Sequence, residues 1–137
     1  MDEKGRLKVP ADYKHVVEEK YASTKFYVTS WDGTAAMLYP MEEWEKIERD
    51  VQKKSATDPH RKRFLMATSY YGQEAEMDAQ GRLLLPQLLR EKAGLTGDVA
   101  VLGMLEYLVV RNMDDVRKQV EENPFTDEDA AALNLGS

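Results

Sequence analysis

Asp2-Glu3-Lys4-Gly5-Arg6-Leu7-Lys8-Val9-Pro10 and Asp78-Ala79-Gln80-Gly81-Arg82-Leu83-Leu84-Leu85-Pro86 align without a gap, and the Asp, Gly, Arg, Leu and Pro are identical in the two. Self-similarity within one chain marks a duplicated supersecondary unit. A second pair follows each motif: Leu38-Tyr39-Pro40-Met41-Glu42-Glu43-Trp44-Glu45-Lys46 resembles Val110-Arg111-Asn112-Met113-Asp114-Asp115-Val116-Arg117-Lys118. The order of elements is therefore duplicated as well. From motif proline to this methionine the spacing is 31 residues in the first copy and 27 in the second. A change in loop length absorbs such a difference at little cost.

Each copy predicts the same local structure. Asp bonds nearby backbone N–H groups and Gly accepts positive φ, so Asp-x-x-Gly-Arg reads as a tight turn between strands. Leu7, Lys8 and Val9 alternate as a half-buried strand does, whereas Leu83 to Leu85 predicts burial on both faces. Proline ends each strand and suits a helix start, giving helices over Pro10 to Lys20 and Pro86 to Ala93, the latter closed by Gly94. Phe26 to Ser30 and Thr34 to Tyr39 flank Trp31-Asp32-Gly33, a hairpin signal. Val99 to Met104 and Leu105 to Val110 take that part in the second copy. Helices then leave each hairpin, Met41 to Lys54 and Met113 to Glu122, opening with acids that complement the helix dipole. The breaker cluster Ser55-Ala56-Thr57-Asp58-Pro59 joins the copies, followed by a helix from His60 to about Tyr70.

Bulk properties narrow the function. The chain has 137 residues, 42% hydrophobic and 32% charged, enough to build a core. It has no cysteine, which excludes disulfides and thiolate chemistry and fits a reducing cytoplasm. The longest apolar stretch, Val99 to Leu105, falls far short of the roughly 20 residues that cross a bilayer. The formal charge is −6, but Glu121, Glu122, Asp127, Glu128 and Asp129 all follow the last basic residue, Lys118. Residues 1–120 carry 20 acids against 19 bases, so a local basic surface is compatible with the total. His15 and His60 lack metal-ligand spacing, and neither a phosphate loop nor a nucleophile elbow occurs. Glu42, Glu43, Glu45 and Glu48 read as a solvated helix face rather than an acid/base pair. No catalytic centre, metal site or cofactor is expected.

Arg6 and Arg82 recur in both copies and carry two readings. In one, Asp2 and Asp78 pair with them and fix the turns. In the other, each turn presents a guanidinium to a DNA groove, where it bonds guanine or grips phosphate. Lys4 and Lys8 reinforce the second reading in the first copy, while Gln80 and Leu84 weaken it in the second. His60-Arg61-Lys62-Arg63 shares a helix with Phe64, Leu65 and Met66, which favours a solvated or subunit-facing role over a DNA contact.

Together, the two Asp-x-x-Gly-Arg motifs and Leu38-Tyr39-Pro40-Met41-Glu42-Glu43-Trp44 resemble the MraZ family of bacterial transcriptional regulators, from Asp2 to about Lys118. The resemblance implies an α+β fold of tandem AbrB-like half-barrels of swapped-hairpin type, forming one pseudo-twofold β-barrel with flanking helices. It further implies DNA contacts from Lys4, Arg6, Lys8, Gln80 and Arg82, with Asp2, Gly5, Asp78 and Gly81 forming the turns. The family binds repeated boxes in the promoter of the division and cell wall gene cluster, usually as a repressor, and its chains close into rings. A strand equivalent to Gln73 to Met77 normally precedes the first motif, so its absence here predicts an unpaired sheet edge.

The expected organisation is a first repeat over 1–54, a linker and helix over 55–70, a second repeat over 71–123 and a disordered acidic tail over 124–137. The expected partners are double-stranded promoter DNA and further copies of the chain in a ring, at the nucleoid of the cytoplasm, with no membrane and no small-molecule substrate. A protein-binding module such as an AbrB-like antitoxin is the rival. Its tail would offer only Phe125, Leu133 and Leu135 as anchors. An enzyme ranks third.

Overall fold

The computed structural model describes residues 1–136. The fold is α+β, with two antiparallel sheets and six helices. Strands β1 (Arg6–Lys8) and β5 (Arg82–Leu84), one from each motif, pair as a two-stranded ribbon in which Leu7 faces Leu83, Arg6 faces Leu84 and Lys8 faces Arg82. Exchanging the copies maps this register onto itself, so a pseudo-twofold axis passes through the Leu7–Leu83 pair. Two further bonds obey it: the Val9 N–H donates to the Gly81 carbonyl at 2.8 Å and the Leu85 N–H to the Gly5 carbonyl at 3.0 Å. Each motif thus completes its partner's backbone bonding, as a swapped hairpin requires.

The other strands form one sheet in the order β4-β2-β3-β7-β6, from β2 (Lys25–Thr29), β3 (Ala36–Pro40), β4 (Gln73–Glu76), β6 (Val99–Gly103) and β7 (Leu108–Asn112). The expected barrel does not close. The ribbon hydrogen-bonds within itself, and β6 ends the sheet without the partner that β4 gives β2.

Between ribbon and sheet lies the main core. Leu7, Val9, Leu83 and Leu85 point from the ribbon onto Phe26, Val28, Leu38 and Val110. Each such side chain contributes about 1.5–3 kcal/mol relative to exposure. Leu84 corrects the expectation of burial on both faces: it is 49% exposed, because the ribbon has only one covered face and alternation turns Leu84 outward. Helices α1 (Ala11–Lys20) and α4 (Gln87–Lys92) follow the motif prolines and bury Val17 and Leu89 in this core.

The opposite face of the sheet is covered unequally. Every residue of β3 is buried, because Met37 and Tyr39 lie under a second cluster with Trp44 of α2 (Met41–Gln52) and Phe64 of α3 (Pro59–Tyr70). Trp44 stacks on Tyr27 at 4.6 Å and on Phe64 at 5.8 Å between ring centroids. In the second copy, α5 (Met113–Glu122) is capped by the Asn112 side chain but buries no residue. The tail also departs from expectation. Instead of lacking structure, it carries α6 (Asp127–Ala132), because Thr126 and Asp129 close a reciprocal capping box at its start.

Candidate nucleic-acid interface

The two Asp-x-x-Gly-Arg turns are near copies in atomic detail. In the first, Asp2 Oδ1 accepts the N–H groups of Lys4 (3.0 Å) and Arg6 (2.8 Å), and Oδ2 accepts Arg6 Nε at 2.9 Å. In the second, Asp78 Oδ1 accepts those of Gln80 and Arg82, both at 2.9 Å, and Oδ2 accepts Arg82 Nε at 3.2 Å. Gly5 and Gly81 sit at φ +81° and +78°, the left-handed conformation the turn demands. The backbone N–H of each arginine is the main reason that both carboxyls titrate below the usual carboxylate value, and partial desolvation opposes it. Both aspartates are therefore ionised acceptors at neutral pH.

The ion pair and the presented guanidinium, two readings of the same residues, coexist. Each arginine spends its Nε on its aspartate, yet the Arg6 and Arg82 side chains stay 30% and 28% exposed. A longer contact of 3.8 Å from Arg82 Nη1 to Asp2 ties the turns to each other. Alternation sends Arg6, Lys8, Arg82 and Leu84 to the outer ribbon face, opposite the buried Leu7 and Leu83. Lys4 and Gln80 lie exposed at the turn tips.

Two basic residues join this surface that sequence reading missed. Arg90 of α4 lies over Gly5 of the first turn and donates from Nε to the Leu85 carbonyl at 2.9 Å. Lys14 of α1 lies over Gly81 of the second turn, its ammonium 3.5 Å from the Ala79 carbonyl. The signal was present: each stands four residues after its motif proline, one helical turn on, so each helix reaches the other copy's turn.

The remaining candidates lie elsewhere. Arg61 donates to the carbonyls of Lys54 and Gln52 and so braces the inter-repeat junction, while Arg63 meets His60 within the run. His15 pairs with Glu19 at 3.0 Å on an open helix face. Glu43 overturns the solvated-face reading of its helix. It is buried, accepting from the Tyr21 hydroxyl at 2.8 Å and from Lys46 at 3.0 Å. Burial pushes its carboxyl up, but these two donors outweigh it and hold the group below its ordinary value.

A swapped pair of αβ units around one arginine-bearing ribbon defines a duplicated α+β fold. The family model described as "MraZ protein, putative antitoxin-like" matches residues 1–67 and 72–135. The chain is 52% identical over 133 residues to the transcriptional regulator MraZ of Acidobacterium capsulatum, covering 97% of this chain and 90% of that protein. The corresponding protein of Koribacter versatilis is 50% identical over 134 residues, covering 98% and 91%. That of Escherichia coli O127:H6 is 33% identical over 136 residues, covering 99% and 87%. The chain belongs to the MraZ family.

Proposed function

We propose that the chain is a sequence-specific DNA-binding transcriptional regulator that reads double-stranded promoter DNA through the outer face of its ribbon. One observation carries the reading: both motif arginines, each held by its aspartate, stay partly exposed on one ribbon face beside Lys8. A major groove admits a two-stranded ribbon, and arginine is the commonest reader of guanine there. The aspartate clamp supports it further, because an ordered guanidinium loses less rotamer freedom on binding. Lys4 and Lys8, exposed at the ribbon, and Arg90 and Lys14, beside the turn glycines, are the candidate phosphate contacts, while Gln80 and Leu84 make the second turn the weaker grip.

The names of the relatives support a role in transcription, and the family resemblance extends the proposal to repression of the division and cell wall gene cluster at repeated boxes. A ring of subunits at the nucleoid would raise avidity by about 10²–10⁴, because each added box binds at high effective concentration. The test is promoter binding by fluorescence anisotropy across a salt series. Arg6→Ala is expected to cost about 1–3 kcal/mol per engaged subunit, and Arg82→Ala less. Unchanged affinity and salt slope in both variants would end the proposal.

The antitoxin-like wording of the family description favours one alternative, in which the tail occupies a protein partner through the exposed Phe125, Leu133 and Leu135. A chain ending at Asn123 that keeps promoter binding but loses a co-purifying protein would support that reading.

A further inference from the structure

The internal symmetry generates a second pair of sites away from the ribbon. In the first copy Tyr39, Glu43, Lys46 and Asp50 line a cleft; at a constant offset of 72 residues Arg111, Asp115, Lys118 and Glu122 line its counterpart. The first cleft satisfies itself. Glu43 takes the Tyr21 hydroxyl and the Lys46 ammonium, and Tyr39 stacks on Tyr107 at 4.5 Å.

The second cleft does not. Arg111 replaces Tyr39, and the Asp115–Lys118 pair that would mirror Glu43–Lys46 is absent among the described residues, where Asp114 pairs with Arg117 instead. Arg111 Nε is buried with no hydrogen-bond partner. Asp32 lies near enough to feel the Arg111 charge, but its carboxylate bonds Thr34. Lys92 of α4 enters from a third element, its stem over Gly33, so three cations from three elements converge on one cleft. A buried, unpaired N–H of a charged group is retained at a cost and calls for an explanation, a bound water, ion or ligand among them.

We propose that this cleft, of about 370 Å³, binds a small phosphorylated molecule. Its volume falls in the range of roughly 300–1,000 Å³ that small-molecule sites occupy. Arg111, Lys92 and Lys118 take the phosphate oxygens, the guanidinium supplying planar donors that suit an oxyanion. Asp115 and Glu122 repel a bare anion and accept from hydroxyl or ammonium groups, which selects a sugar phosphate or amino phosphate over inorganic phosphate. The site stands independently of the DNA reading, although α4 also carries Arg90 over the Gly5 turn.

The test is isothermal titration of the full chain with glucose 6-phosphate, glucose and inorganic phosphate, at ionic strength matched with sodium chloride. Saturable binding of glucose 6-phosphate, absent for glucose and weaker for inorganic phosphate, is expected, with at least a tenfold loss in Arg111→Gln and in Lys118→Gln. Lys118 is exposed, so its variant carries the test if Arg111→Gln does not fold. Lys8→Gln on the ribbon should bind glucose 6-phosphate as the parent does. The proposal is overturned if none of the three ligands saturates, or if Lys8→Gln rather than Lys118→Gln abolishes binding. It is overturned equally if Arg111→Gln alters only promoter affinity or oligomer mass, which would assign the cations to DNA or to a second copy.

Discussion

Asp2 and Asp78 hold the turns only while ionised, which gives the fold an acid limit with a definite sign. Hydrogen bonds depress both folded-state pKa values below the ordinary 3.8, so their stabilisation is complete above that value and disappears as pH falls through the depressed one. In urea denaturation from pH 6 to pH 2.5, the stability gap between the parent and an Asp2→Asn, Asp78→Asn double variant should stay constant down to about pH 4 and close below it. A gap that widened on acidification would contradict the clamp. The two glycines differ in their neighbours. A Cβ on Gly5 would collide with the Arg90 guanidinium, whereas one on Gly81 would meet only the flexible Lys14 stem at 3.0 Å. Both positions carry the left-handed cost of about 1–2 kcal/mol for a side chain, so Gly5→Ala should lower the thermal midpoint by a few degrees and by more than Gly81→Ala.

Among the elements, α2 owes its apolar packing on the outer sheet face chiefly to Trp44. Trp44 is 4% exposed and stacks between Tyr27 and Phe64, binding α2 and α3 to the outer sheet face. Trp44→Ala should cost about 3–5 kcal/mol in chemical denaturation, while Val120→Ala on the uncovered α5 should cost little. That contrast explains what the sequence could reveal. The paired turns, the Asp32-Gly33 hairpin and α5 over Met113–Glu122 were legible because their signals are local: turn chemistry, proline and acidic first turns. Glu43 was misread because its partner, Tyr21, lies on another element, and no pattern within a helix reports a tertiary hydrogen bond. Leu84 was misread because a three-leucine run does not say whether the strand has one covered face or two. At the candidate interface, the motif residues were visible through their repetition. Lys14 and Arg90 share an offset from their motif prolines, but that offset gains meaning only once the swap sets each helix on the opposite turn.

For the molecule as a whole, the pseudo-twofold axis turns one substitution into a direct comparison. Lys8 and Leu84 are symmetry mates on the ribbon, the first opposite Arg82 and the second opposite Arg6. Leu84 lies 49% exposed where the symmetry would place a cation, so Leu84→Lys adds a charge without disturbing the core. If the second turn is a weaker copy of a phosphate grip, the new ammonium should tighten promoter binding and steepen the dependence of log K on log salt by about 0.9 per added phosphate contact. Thermal stability should change little, since a surface substitution of this kind usually shifts it by less than about 0.5 kcal/mol. An unchanged salt slope would place Leu84 away from the backbone of the duplex. Weaker binding, confined to sites that carry thymine at one box position, would instead mean that Leu84 packs on a thymine methyl and that the second turn reads bases where the first grips phosphate.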